Sequence, residues 1–259
     1  MCSCKLLHYI RIMFSIFKKK YPAQELDLSG IQLDMHSHLL PGIDDGSPDL
    51  DTSIVLIKGL ESVGLSNFIT TPHIFLDYYP NNAETIGEAL KKVKNVLPDS
   101  ITLQAAAEYY MDEYLEKLVL EKQPLLALHQ NYLLVEFSFV SLPLNWKEEL
   151  FRLQINGYQP ILAHPERYIY LADHKKIFDE LIDMGILFQL NLLSITGYYN
   201  KTAKELAQYL LQKNHISFLG TDLHHIRHLE ALRSSGSSIM PIVQELLQTG
   251  QLKNHLLLS

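Results

Sequence analysis

Seven short apolar runs alternate with helical patterns along most of the chain, and that alternation restricts the fold more than any other feature. The runs cover residues 31–35, 67–71, 101–107, 132–137, 159–163, 186–191 and 216–220. Each has the length of a strand rather than of a buried helix. Between them, apolar residues recur at helical spacing over 49–63, 84–97, 146–156, 174–184 and 202–213. Ser47-Pro48 predicts the start of the first helix, a cap residue followed by proline at the first helical position. Strands separated by helices pair in parallel through right-handed crossovers, and seven or eight such units close into a barrel. No linker, repeat or low-complexity stretch interrupts the pattern. Residues 30–259 are therefore expected to form one domain behind an N-terminal extension of residues 1–29.

Where the runs end, the side chains change character. His36, His73, Glu108, Glu136, His164 and Asp222 each fall at or just after the end of a different run. In a β/α barrel such ends converge on one face, whereas an open doubly wound sheet brings together only the strands beside its switch point. Contributions from six of the seven runs favour the barrel. His36-Ser37-His38 and Asp222-Leu223-His224 each put two donors on one side of an extended segment, spaced to grip one ion. The turn from Leu39 to Gly46 can fold a carboxylate back over them; Asp45 is the candidate ligand there, and Asp44 a turn residue or supporting acceptor. Glu136 follows the apolar Leu133-Leu134-Val135, where an unpaired carboxylate is costly. Singly, each has an ordinary explanation, His73 as a solvated loop residue and Glu108 as an acid ahead of a helix over 109–120. Together these imidazoles and carboxylates, with no thiolate among them, describe a hydrolytic cluster of divalent metals.

The rest of the composition narrows the setting. A net charge of −7 argues against nucleic acid as the main partner. Cys2 and Cys4 cannot build a disulfide framework and fit a reducing, cytoplasmic environment. Residues 6–17 are apolar but broken by His8 and Arg11, and Lys18-Lys19-Lys20 follows them instead of preceding them. That is neither a secretory signal nor a bilayer span. Two readings of the segment stay open: peripheral membrane contact through Ile10, Phe14 and Phe17, or a true translation start at Met13. His225 and His228 lie near the last motif but outside its spacing; the background reading as ordinary polar residues leads, with supporting or substrate-rim roles as the alternative.

Taken in order, His36-Ser-His-Leu-Leu-Pro-Gly-Ile-Asp-Asp-Gly46, Thr71-Pro-His73, His164-Pro-Glu-Arg167 and Asp222-Leu-His224 resemble the polymerase and histidinol phosphatase superfamily. The Leu-Pro-Gly-Ile-Asp-Asp-Gly and His-Pro-Glu-Arg stretches are similar to bacterial manganese-dependent tyrosine-protein phosphatases of capsule and exopolysaccharide synthesis, over residues 31–235. The resemblance implies a distorted seven-stranded β/α barrel holding three divalent ions. Manganese is the metal implied, and iron, zinc and cobalt also suit the donors. Carried over by motif, His36, His38, Glu108 and Asp222 would hold the first ion. Glu108 would bridge to the second, with Glu136 and His164; Asp45, His73 and His224 would hold the third. Arg167 would face the phosphate. The family places a further arginine after its final Asp-x-His; Arg227 and Arg233 are the candidates, and the spacing of Arg227 departs from the pattern. The implied substrate is a phosphotyrosine protein, the C-terminal tyrosine cluster of a capsule-type tyrosine kinase.

Rival chemistries are harder to place. A small-molecule phosphoesterase such as histidinol-phosphatase would share the metal chemistry and differ in access to the pocket. An amidohydrolase usually bridges its metals with a carbamylated lysine, and no lysine ends a run here. A cysteine phosphatase needs thiolate and arginine in one phosphate loop after a strand; Cys4 and Arg11 offer neither the spacing nor the strand.

Overall fold

The computed structural model describes residues 25–258. The apolar segment 6–17, with both readings of it, lies outside the described residues. Among those residues the strands are β1 (Asn67–Thr70), β2 (His73–Ile74), β3 (Thr102–Ala105), β4 (Glu108–Tyr110), β5 (Tyr132–Glu136), β6 (Gln159–Ala163), β7 (Leu187–Asn191) and β8 (Ile216–Gly220). The helices are α1 (Leu50–Glu61), α2 (Ala83–Lys94), α3 (Glu113–Leu120), α4 (Trp146–Ile155), α5 (Lys176–Asp183), α6 (Lys201–Gln212), α7 (Ile226–Arg233) and α8 (Gly236–Gln248). Every strand pair is parallel, as the helical crossovers require.

The ladders do not form the closed seven-stranded barrel that the alternation predicts. They divide into a two-stranded sheet, β1-β3, and a six-stranded sheet, β2-β4-β5-β6-β7-β8. The split lies at the ends of two predicted strands, 67–71 and 101–107, beyond which the chain resumes as β2 and β4. Pro72 interrupts one because it has no N–H to give to a ladder. Its neighbour breaks at Ala106-Ala107, although Ala106 N–H still donates to Thr70 O (2.9 Å) and Glu108 N–H to Pro72 O (3.1 Å). Glu108 therefore opens a strand instead of ending one.

The first predicted strand is also not a strand. Ser29–Ile31 is a single 3-10 turn, and Gln32 follows it at φ 68°, a left-handed conformation that stops extended pairing. Only isolated bridges remain, Asp34 to Phe68 and Ser37 to Leu223. Through them residues 34–38 lie between β1 and the segment leaving β8. The first helix begins two residues later than Ser47-Pro48 suggests. Asp49 is its cap and accepts from Thr52 N–H at 2.7 Å; Ser47 Oγ–H instead donates to the Asp49 carbonyl.

Side-chain alternation along the strands separates two apolar clusters. Leu133, Val135, Leu162 and Leu219 pack outward beneath the helices. Leu134, Ile161, Ala163 and Phe218 point the other way and meet Leu33, Met35 and Leu257. Burial on both faces is what continuous apolar runs in parallel strands provide. The period of two then places Glu136 above Leu134, and Gln189 and Asn191 above Leu187. The inner apolar cluster thus gives way, at the carboxyl ends of the strands, to buried polar groups.

Candidate metal centre

Glu108 is fully buried, and four imidazoles surround its carboxylate. Oε2 lies 3.1 Å from His36 Nε2, 3.3 Å from His38 Nε2 and 3.2 Å from His73 Nδ1. Oε1 lies 3.1 Å from His164 Nε2. Glu136 approaches the same group, its Oε1 standing 3.4 Å from His164 Nε2 and its Oε2 3.8 Å from His73 Nδ1. Burial and the negative charge of Glu108 push the Glu136 carboxyl well above the usual carboxylate range. Burial pushes on Glu108 in the same direction, but the charges of His36 and His73 outweigh it and hold that group low. Two carboxylates this close and this deeply buried do not both ionise unless positive charge is supplied between them.

The outer nitrogens of the imidazoles identify the charge that fits. His36 Nδ1 lies 2.8 Å from Gln189 Oε1, an oxygen that also accepts His164 N–H at 3.1 Å. His38 Nδ1 lies 2.8 Å from Asp44 Oδ2, and His224 Nδ1 2.9 Å from the Asp222 carbonyl. In each pair the partner is an acceptor, so Nδ1 carries a proton, and whenever the ring is neutral Nε2 presents a bare lone pair. Those lone pairs point at carboxylate oxygens, including Asp45 Oδ1, 3.5 Å from both His224 Nε2 and His73 Nε2. Lone pair against carboxylate is repulsive unless a proton or a cation intervenes. An imidazole with its far N–H tied to an oxygen acceptor is the usual arrangement of a metal ligand.

The residues predicted from the motifs come together accordingly. His38, Asp45, His73 and His224 form one group of mutually close donors; His36, His38 and Asp222 form a second; His36, Glu108 and His164 a third; His73, Glu108 and Glu136 a fourth. Within each group the donor atoms lie within 4.8 Å of one another. All nine candidate ligands take part, and Glu108 belongs to two groups, as a bridging carboxylate would. Asp44 takes the supporting position: it holds His38 and accepts the backbone N–H of Gly46 (3.0 Å) and of His73 (3.2 Å).

The backbone is bent to achieve this. His164 and Asp222 have φ values of 30° and 49°, left-handed conformations that are costly for any residue other than glycine. His164 directly follows β6 and Asp222 is the second residue after β8, and each turns a donor inward. Asp222 is anchored there by its N–H to His36 O at 2.8 Å. Gly220 makes room for the approach, since a Cβ at that position would stand 2.8 Å from His36 Cβ. Asp34 fixes the same corner, accepting Thr221 N–H (2.9 Å) and Oγ1–H (2.6 Å), while burial pushes its carboxyl up to about 6.

Next to the donors opens a cavity of about 210 Å³. Asp45, His73 and Glu136 line it together with Phe139, Arg167 and Tyr199. Arg167 Nη1 donates to Asp222 Oδ2 at 2.8 Å. Its guanidinium carbon lies 4.6 Å from the centre of the Phe139 ring and 4.2 Å from that of Tyr199. Asp222, rather than the adjacent Glu166, is its acidic partner; Glu166 is buried and accepts Asn191 N–H at 3.1 Å. The two later arginines are not brought to the cavity. Arg227 is exposed on the first turn of α7 and is absent from the lining. Arg233 is one turn and a half further on and faces away, its Nη2 donating to Ser62 Oγ at 2.6 Å and Gly59 O at 3.3 Å, which fastens α7 to α1. The α7 residue that does line the cavity is His228, where burial and the nearby His225 lower the imidazole to about 4.

Sequence reasoning missed Gln189 and Asn191. Asn191 Nδ2 donates to Asp222 Oδ2 at 2.6 Å and to Tyr199 OH at 3.0 Å, so it holds a candidate ligand from behind as Gln189 holds His36. A signal was present: two amides at i and i+2 on one face of an otherwise apolar strand repeat the H-x-H pattern.

Residues 32–233 match the family of capsular polysaccharide synthesis proteins CpsB/CapC. The chain is 30% identical over 198 residues to the tyrosine-protein phosphatase YwqE of Bacillus subtilis, covering 75% of this chain and 78% of that protein. It is 29% identical over 204 residues to the tyrosine-protein phosphatase CpsB of Streptococcus pneumoniae, covering 75% and 83%. The fold is similar to a crystal structure from work on these two proteins, which calls them metal-dependent tyrosine phosphatases. That match has a TM-score of 0.72 and 25% identity over 86% of this chain and 96% of the other. On sequence and fold together, the chain belongs to the CpsB/CapC family of capsular polysaccharide synthesis proteins.

Proposed function

We propose that the protein is a metal-dependent protein-tyrosine phosphatase. The observation that carries this reading is the set of imidazole lone pairs converging on buried carboxylates beside a guanidinium. In this reading three divalent ions would be held, one by His36, His38, Glu108 and Asp222, one by Glu108, Glu136 and His164, one by Asp45, His73 and His224. The reading is supported by the presence of all nine residues in groups of mutually close donors. Imidazole and carboxylate without thiolate suit manganese, with iron, zinc and cobalt compatible. Such ions, when bound, supply hydroxide near neutral pH and positive charge for the phosphoryl oxygens.

The chain's own residues do the rest. Gln189, Asp44 and the Asp222 carbonyl keep three imidazoles in the tautomer that offers Nε2 inward. Arg167, held between Phe139 and Tyr199, presents a guanidinium whose remaining N–H groups suit equatorial phosphoryl oxygens. Phe139 and Tyr199 give the mouth an aromatic wall on which a tyrosyl ring rests. The leaving phenol, with a pKa near ~10, is easier to expel than an alkanol.

The substrate in this reading is a phosphotyrosine protein, such as the C-terminal tail of a capsule-type tyrosine kinase. It is supported by the names of the relatives, which are tyrosine-protein phosphatases. The two sheets and residues 34–38 are read as one distorted seven-stranded barrel, because those residues bridge to both β1 and the segment after β8. Residues 30–259 are read as one catalytic unit behind the extension 1–29. Among the described residues no helix is long and apolar enough to cross a membrane. A cytoplasmic location, with peripheral membrane contact at most, is proposed with it. The decisive experiment assays metal-reconstituted protein on phosphotyrosine peptides, phosphoserine peptides and histidinol phosphate side by side. Preference in kcat/KM for phosphotyrosine is expected; preference for histidinol phosphate would make it a small-molecule phosphatase.

A further inference from the structure

Arg167 is the only lysine or arginine among the described residues that line the cavity. Tyr199 stands beside it, and beyond Tyr199 stands His228, their ring centres 6.1 Å apart. His228 is largely buried on the first turn of α7. Its Nδ1 accepts the backbone N–H of His224 at 3.4 Å. The proton of the neutral ring therefore sits on Nε2. That nitrogen has no hydrogen-bond partner among the described residues, and it belongs to a ring that faces the cavity.

The ring is also held in place. Tyr198, Tyr199 and His224 meet it edge-on, at interplanar angles of 80°, 78° and 82°. His225 packs on it with ring centres 3.8 Å apart and caps the helix, its Nδ1 accepting His228 N–H at 3.2 Å. An oriented donor with no protein acceptor, at the edge of a site built for an anion, is a preorganised contact for that anion.

We infer that His228 donates its Nε2–H to a phosphoryl oxygen of the substrate and is, with Arg167, the second side chain that grips the phosphate. This rests on the phosphatase reading. It assigns to a neutral imidazole the place for which Arg227 and Arg233 were the sequence candidates. Arg227 is solvent-exposed, and Arg233 is spent on holding α7 to α1.

The test compares His228→Ala, His228→Gln and Arg227→Ala in the metal-loaded full chain. Three quantities are read: kcat/KM on a phosphotyrosine peptide, the dissociation constant of inorganic phosphate by calorimetry, and bound metal by elemental analysis. His228→Ala should lose roughly 10- to 100-fold in kcat/KM and weaken phosphate binding by a similar factor, with metal retained. The Gln amide reaches where Nε2 stood, so His228→Gln should recover most of both losses. Arg227→Ala should stay within about twofold of the parent protein, as an exposed side chain outside the site does. Parent-like kinetics and phosphate binding in His228→Ala would overturn the inference. So would equal defects in the Ala and Gln variants, which would make the ring a packing element, or loss of metal from both. If the parent chain binds phosphate but fails on phosphotyrosine peptides, the phosphatase reading falls, and the phosphate constants alone judge His228.

Discussion

Gln189 Oε1 stands 2.8 Å from His36 Nδ1 and fixes which nitrogen of that ring faces Glu108. The same oxygen takes His164 N–H, so the amide cannot flip without losing two bonds. Replacing it by an apolar residue of similar size should leave the fold intact and loosen His36. Gln189→Leu is expected to weaken metal affinity roughly 10- to 100-fold. Competition against a chelator measures this, and parent-like affinity would show that the His36 tautomer is set by something else.

Glu108 should be the most damaging single loss among the carboxylates. It is shared between two donor groups, and four imidazole nitrogens lie within hydrogen-bond range of it. Glu108→Ala is expected to reduce the number of ions bound per chain as well as activity. Elemental analysis beside single-turnover kinetics separates the two, and a variant with full metal content and full rate removes the bridge.

Metal removal should abolish turnover and also destabilise the chain, because the buried carboxylates then lack their counter-charge. Chelation followed by manganese is expected to restore both activity and melting temperature. Free metal at 100 times its dissociation constant adds about 2.7 kcal/mol for each independent site. Calorimetric melting with and without chelator checks this. Undiminished activity after exhaustive removal would exclude the metal mechanism.

Arg167 presents a sharper case because it touches Asp222 and the cavity at once. If its main role is toward the phosphoryl group, Arg167→Ala loses roughly 10- to 1000-fold in kcat/KM and keeps its metal. Arg167→Lys should rescue little, since an ammonium lacks the planar fork and stacks poorly between two rings. Metal loss in either variant, seen by elemental analysis, would assign the guanidinium to support of Asp222.

Legibility in the sequence followed chemistry more closely than geometry. Donor residues announced themselves by type: an acid after Leu133-Leu134-Val135 or a histidine beside a proline is conspicuous in any register. The strand-helix alternation was likewise readable from periodicity. What the sequence hid depends on long-range placement. Pro72 splits a strand whose neighbour then splits opposite it, and Asp49 outcompetes Ser47 as a cap because its carboxylate reaches Thr52. The placement of Arg227 was hidden for a similar reason. On a helix, Arg227 and His228 are adjacent in sequence yet point about ~100° apart, so one step decides which enters the cavity.

The seam between residues 34–38 and the segment after β8 joins the first and the last of the segments that carry candidate ligands. Asp34 and Thr221 are 187 residues apart, and Ser37 meets Leu223 through a single bridge. Donors from both sides of this seam, His36 and His38 with Asp222 and His224, share the same groups. Closing so long a loop carries a large cost in chain entropy and comes late in folding. A nascent chain that has not yet released residue 224 from the ribosome therefore lacks the donor groups that need Asp222 or His224, however well its earlier strands have paired. A cation held by those groups would act as a clasp between two segments that lie far apart in the sequence.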